Sequence, residues 1–203
     1  MKKPILWLVS LLLTAAVVLL GSQLTARSQL TPAQTSPAMP LLTGGALLVT
    51  YGGCHDCHSP KVMVQGIPLP DSSQMLSGYH GTRADLPQIP KDVFGPQKWA
   101  GMTNDHFTAW AGPWGVTFSR NITPDRQTGI GAWTYEMFQT VMRTGKYPTG
   151  DRQLLPPMPW YNVATLPEDQ LRALYDYLMS IPPVQNAVPN PLTPQQAGIT
   201  PGR

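Results

Sequence analysis

The amino-acid sequence predicts an all-α domain whose helices are joined by long Pro- and Gly-rich loops. Apolar residues recur at helical spacing in three separated stretches, around residues 41–51, 134–144 and 167–180. The 203 residues include 23 Pro and 18 Gly, a composition that suits ordered loops better than a regular helical bundle. Length allows one domain with tails.

Met1-Lys2-Lys3 leads into an apolar run from Ile5 to Leu20, with no further charge before Arg27. A basic head on such a run is what export machinery reads. The run is long for a cleaved signal peptide and slightly short for a span, with Leu24-Thr25-Ala26 the best cleavage context. Residues 1–26 are therefore expected to be a signal peptide or an N-terminal anchor, the latter attaching to the inner membrane through residues 5–20. Both readings place the domain in the periplasm. Residues 27–40, rich in Ser, Thr, Gln, Ala and Pro, form a flexible tether.

The domain itself is expected over residues 41–183. Leu41, Leu42, Leu47, Leu48 and Tyr51 lie at helical spacing, and Gly52-Gly53 ends that helix. From Ser59 to Thr128 the chain reads as loop with scattered Trp99, Trp110 and Trp114 and short strands such as Trp114 to Phe118. A bound group large enough to act as core accounts for a loop region this long. Met137, Phe138, Val141 and Met142 share one face of a second helix from Thr134 to Thr144, with Glu136 early and Arg143 late as the helix dipole favours. Pro167-Glu168-Asp169 opens the last helix, whose buried stripe is Leu171, Leu174, Tyr175 and Leu178, and Pro182-Pro183 stops it. Residues 184–203 form a Pro-rich tail without a period, expected to be mobile.

Charged residues are only 12% of the chain and the net charge is +3, so no basic stripe recommends a nucleic-acid partner. No Ser-His-Asp series or phosphate-cradling Gly loop stands out either. What does stand out is residues 54–58, Cys-His-Asp-Cys-His, which contain the only two cysteines. In an oxidising compartment two cysteines invite a disulfide, and a Cys pair is also half a zinc site that His55, His80 or His106 would complete. Neither alternative requires the trailing His58. A covalent haem does: two thiols add across its vinyl groups while the adjacent imidazole binds the iron. The sequence thus predicts one haem c, with Cys54 and Cys57 as thioethers and His58 as proximal ligand.

A distal ligand must come from elsewhere. Met137 and Met142 are spoken for by core packing on the second helix, Met179 ends the last helix, and Met39 lies in the tether. Met158 sits in Leu154-Leu155-Pro156-Pro157-Met158-Pro159-Trp160, where three prolines limit the backbone and little entropy is lost on binding iron. Met158 is the expected distal ligand, with His106 and Met102 in reserve.

These parts together resemble the class I cytochrome c family, the relevant segments being Gly45 to Gly53, Cys54 to His58, Met158-Pro159 and Leu171 to Ser180. The chain is more similar to the cytochrome c domains that accompany membrane-bound alcohol, aldehyde and sugar-acid dehydrogenases. Gly52-Gly53-Cys54-His55-Asp56-Cys57-His58, Asn121-Ile122-Thr123-Pro124-Asp125, Thr128-Gly129-Ile130-Gly131-Ala132-Trp133 and Met142-Arg143-Thr144-Gly145 carry that likeness, over about residues 43–183. Such subunits usually have several C-x-x-C-H motifs, whereas this chain has one, together with a longer insertion from Met63 to Phe118. The resemblance implies an all-α cytochrome c fold around the haem. It also implies that Asn121 to Trp133 wraps the haem edge, with Arg120 or Trp133 bonding a propionate; the same segment also reads simply as turns. Gly44 and Gly45 would let the last helix approach the first, with Tyr175 or Leu178 against the gap.

The expected function is single-electron transfer rather than enzymatic turnover, between a dehydrogenase or quinol-oxidising complex and an oxidase or other acceptor. Two alternatives stay open. The chain is a subunit permanently bound to a dehydrogenase, docked through Trp99 to Phe118, or its iron is open and serves an enzyme or gas sensor.

Overall fold

A computed structural model describes residues 42–147 and 152–199. The expected export or anchor segment and the tether lie outside the described residues. Among the described residues no helix is long and apolar enough to cross a membrane.

Helix α1 (Gly44–Tyr51) ends where the Gly52 N–H bonds the Leu48 carbonyl at 2.8 Å. Gly53 then adopts a left-handed conformation, φ 68°, which an L side chain rarely takes, and the chain restarts as α2 (Cys54–His58) in a new direction. Strands β1 (Lys61–Val64) and β2 (Ile67–Pro70) form a hairpin turned by Gln65 and Gly66, both at positive φ. A second antiparallel sheet has β3 (Met102–Thr103), β4 (Ala109–Gly112) and β5 (Gly115–Phe118) in that order. Helices α3 (Tyr135–Thr144), α4 (Trp160–Val163) and α5 (Glu168–Ser180) complete the body.

The all-α expectation is therefore corrected: helices and two antiparallel sheets share the fold. β5 lies where a short strand was expected, Trp114 to Phe118, and is buried at all four residues: Val116 and Phe118 enter the apolar cluster, and Thr117 on the other face bonds the Pro156 carbonyl. The other strands went unmarked for physical reasons. β2 contains Pro68 and Pro70, which demote a strand on sequence grounds but are tolerated on an edge.

Two apolar clusters form the interior. The helical one gathers Val49, Leu76, Ile130, Phe138, Leu171 and Leu178 from α1, α3, α5 and the loops between. The other gathers Tyr79, Phe94, Val116 and Phe118 around the three-stranded sheet, and Val188 and Ile199 complete it. Residues 184–199 are thus packed against the body, where a mobile tail was expected over 184–203. Leu192 and Val116 exchange backbone hydrogen bonds at 2.8 and 3.0 Å, and the Asn186 amide donates to the carbonyls of Ser77 and Tyr79 at 2.8 and 2.9 Å. Polar and apolar residues alternate irregularly there, because proline breaks any period and side-chain amides do the anchoring.

Helices α1 and α5 cross at Gly45. A Cβ on Gly45 would lie 2.1 Å from the Ala173 carbonyl oxygen and 2.4 Å from the Tyr177 Cβ. The close approach foreseen from the glycines is present, but the facing residues are Ala173 and Tyr177 rather than Tyr175 or Leu178. Tyr175 instead donates from its hydroxyl to the Trp133 carbonyl at 2.8 Å, and Leu178 is buried in the cluster. The start of α5 is tied to α3 through Glu168, whose carboxylate accepts from Tyr135, Gln139 and Arg143 at 2.5, 2.7 and 3.1 Å.

Gly45→Ala should force the two helices apart and cost about 1–3 kcal/mol, the usual range for overpacking a tight contact. Denaturant unfolding followed by far-UV circular dichroism would read this as a lower midpoint with an unchanged slope.

Candidate cofactor site

The left-handed turn at Gly53 sets α2 as a separate short helix, and the i, i+3 spacing puts Cys54 and Cys57 on one side of it. Both are free thiols and both are partly exposed. Burial pushes the Cys54 thiol up to about 11 and raises Cys57 as well.

His58 is fixed by a bond to a residue far along the chain: its Nδ1 lies 2.7 Å from the Arg120 carbonyl oxygen. A carbonyl only accepts, so Nδ1 carries the proton and the lone pair of the neutral ring is on Nε2. Burial lowers the His58 pKa, which keeps the ring neutral at neutral pH. An imidazole held through Nδ1–H with Nε2 left to bind a metal is the usual arrangement of a metal-ligating histidine.

The helix is secured at its far end too. Ser59 is fully buried, and its hydroxyl oxygen accepts from the Leu76 amide at 2.9 Å. That oxygen lies 3.0 Å from His55 Nδ1, which occupies His55 with a local contact. The Lys61 side chain folds back to donate to the carbonyls of Asp56 and His55 at 2.9 and 3.0 Å, and to that of Ser59. Apolar walls come from the helical cluster, on whose edge Cys54, Ile122, Trp133, Met142, Val163 and Leu166 pack while partly exposed. Two thiols, an Nε2-binding imidazole beside them and an apolar rim are the donor set that a haem c requires, and the residues present fit it.

Met158 is partly buried in a loop tied down on several sides. Thr117 in β5 donates its hydroxyl to the Pro156 carbonyl at 2.7 Å, the Leu154 amide bonds the Gly145 carbonyl at 2.7 Å, and the Met158 amide bonds Leu155 at 3.3 Å. Residues 117–120 therefore hold His58 by one end and the Met158 loop by the other. The reserves are otherwise engaged or placed: His106 Nδ1 accepts from the Lys61 amide at 3.0 Å, and Met102 lies in β3, 37% exposed. His80 Nε2 lies 2.7 Å from the Ser77 hydroxyl. Among the described residues no group of three or more His, Cys, Asp or Glu is gathered to hold a metal ion.

The Asn121 to Trp133 segment divides its labour. Ile122, Ile130 and Trp133 face the helical cluster, while its polar groups staple the chain. Asn121 is almost fully buried; its Oδ1 accepts from the Thr123 amide and hydroxyl at 3.0 and 2.7 Å, and its Nδ2 donates to the Val184 carbonyl at 2.7 Å. Asp125 accepts from the Thr128 amide and hydroxyl, both at 2.6 Å, which holds its carboxyl below the usual range. Arg120 donates through Nη1 to the Val188 carbonyl at 2.9 Å, so that nitrogen serves the C-terminal segment. Ser59, Lys61 and Asn186 were missed in the sequence, where single polar residues flanked by prolines carry no pattern.

No protein-family model matches the chain. A nicotinate dehydrogenase subunit from Pseudomonas putida is 39% identical over 89 residues, which is 44% of this chain and 7% of that protein. The gluconate 2-dehydrogenase cytochrome c subunit of Pantoea cypripedii is 42% identical over 78 residues, 38% of this chain and 18% of that one. The cytochrome c subunit of the quinone-dependent alcohol dehydrogenase of Gluconobacter oxydans is 40% identical over 81 residues, 38% of this chain and 17% of that one. The chain is related to dehydrogenase-linked c-type cytochromes. The likeness read from Gly52 to His58 and from Asn121 to Gly145 thus has relatives of the kind it implied. The chain spans less than a fifth of the length of each of those proteins.

Asn121→Ala would leave the Thr123 amide without its acceptor in a buried place and the Val184 carbonyl with only the longer bond from the Thr123 hydroxyl, at 3.3 Å. The expected loss is about 1–3 kcal/mol. Urea titration would measure it, and a variant as stable as the parent would show that the staple is not needed.

Proposed function

We propose that this protein is a periplasmic, mono-haem c-type cytochrome that passes single electrons from a dehydrogenase to an acceptor. The observation that carries the reading is the His58 imidazole, held through Nδ1 by the Arg120 carbonyl beside two free thiols on the same short helix. Haem c bound there supplies a one-electron ferric–ferrous couple. Cys54 and Cys57 would hold it, His58 Nε2 would bind its iron, and Ile122, Trp133 and Val163 would shield it from water. Met158, on a loop anchored at Thr117 and Gly145, would supply the second iron ligand. With both ligands from this chain no position would be left for substrate, which favours a carrier over a catalytic subunit.

The relatives' names favour a second arrangement, in which the chain is a lasting subunit of a dehydrogenase. Its docking segment is narrower than Trp99 to Phe118, because Ala109, Val116 and Phe118 are core while Trp99, 69% exposed, and Met102, 37% exposed, lie outside. A co-purifying dehydrogenase on size exclusion supports the subunit, and a free monomer supports the carrier.

Visible spectroscopy of the exported, purified protein tests both the haem and its ligands. The ferrous form should show a low-spin c-type spectrum and bind no carbon monoxide, and the ferric form should show the weak long-wavelength band of sulfur ligation. Met158→Ala should lose that band, take up carbon monoxide and have a lower reduction potential. A wild-type protein that binds carbon monoxide readily would discard Met158 as ligand and favour the open-iron reading.

A further inference from the structure

Electron transfer through the haem leaves Lys61 without a role, and Lys61 is the most unusual ionisable residue in the structure. Only 8% of it is exposed, although lysine is almost never buried without a paired acid. Among the described residues it forms no ion pair; the ion pairs there involve Lys98, His106, Arg143 and Arg172. Three carbonyl oxygens, those of His55, Asp56 and Ser59, surround Nζ instead. Burial lowers the Lys61 pKa, and the nearby Asp56 carboxylate opposes that shift. Three acceptors need three N–H donors. An ammonium has three and a neutral amine two, so the group is charged.

Those acceptors lie in and just past α2. The carbonyls of a helix's last turn have no partner within the helix, and a cation there satisfies them and offsets their aligned dipoles. The backbone of Lys61 is held as firmly as its side chain. Its amide donates to His106 Nδ1 at 3.0 Å, and β1 pairs it with Pro70, next to which the Asp71 amide bonds the Pro60 carbonyl at 2.9 Å. The hairpin thus serves as a clamp that holds one positive charge against the helix bearing Cys54, Cys57 and His58.

We propose that Lys61 is a positioning residue: its buried ammonium closes the carbonyl end of the haem-attachment helix and raises the reduction potential of the iron held there. This rests on the haem reading above. The sign follows from electrostatics, since a fixed positive charge in a poorly solvated place disfavours the ferric state, which carries one more positive charge than the ferrous.

The test uses full-length, exported protein. A haemochrome assay on the wild type comes first, and absence of covalent haem would end the haem reading without bearing on the lysine. Redox titration then compares wild type with Lys61→Gln, Lys61→Met and Lys61→Arg. Both neutral variants should keep the low-spin c-type spectrum and shift to lower potential, whereas Lys61→Arg should stay closer to wild type. Neutral variants with haem at the wild-type potential would overturn the proposal. Where the neutral variants do not mature, acetic anhydride labelling of the wild-type holoprotein, read by peptide mass spectrometry, decides. Lys61 should be protected relative to the exposed Lys91 and Lys146, and labelling to the same extent would overturn its role as a cap.

Discussion

The bond from His58 Nδ1 to the Arg120 carbonyl joins positions 62 residues apart, and much of the fold exists to keep its two ends together. On one side α2 must be held still, which Gly53, Ser59 and Lys61 accomplish over a few residues. On the other side Arg120 must present its carbonyl, and it does so at the exit of β5, the strand of the three-stranded sheet that is buried at every residue. The insertion from Met63 to Phe118, which contains that sheet, thereby becomes the support for the histidine. A backbone carbonyl is a dependable second partner for an imidazole because it cannot change rotamer, and a sheet fixes it better than a free loop would.

What could be read in the sequence was what has a period or a fixed spacing. The stripes of α3 and α5 follow 3.6-residue periodicity, and Cys54, Cys57 and His58 share a fixed C-x-x-C-H spacing; α1 forms where expected but buries Gly45 and Val49 and leaves Leu42, Leu47 and Tyr51 exposed. Most of the β-structure was hidden because its signals cancel. β5 coincides with the short strand expected from Trp114 to Phe118, but β2 is half proline, and the exposed side chains of the hairpin, Val62, Met63, Val64, Ile67 and Leu69, do not alternate with polar ones. Lys61 could not have been picked out at all. In the chain it is one lysine after a Ser-Pro pair, and only the three-dimensional return of its side chain onto α2 gives it meaning.

The Asn121 to Gly131 segment shows a middle case. Its Thr-Pro-Asp and Thr-Gly pairs were legible as turns, and the structure has those turns, with Asp125 and Asn121 as their acceptors. What local chemistry did not reveal is that Asn121 also donates to the Val184 carbonyl and that the Thr128 hydroxyl accepts from the Asn186 backbone amide. Long-range hydrogen bonds between loops leave no periodic trace, because neither partner's neighbours need to be apolar.

The packed C-terminal segment changes what counts as the domain. Val188 and Ile199 finish the sheet-side cluster, and Asn186 bridges to Ser77 and Tyr79 across more than a hundred residues. Arg120, whose carbonyl meets His58, also donates to the Val188 carbonyl at 2.9 Å. Removing residues 184–199 would therefore open the apolar cluster behind the strand that steadies His58, far away in the chain from the helix that bears it.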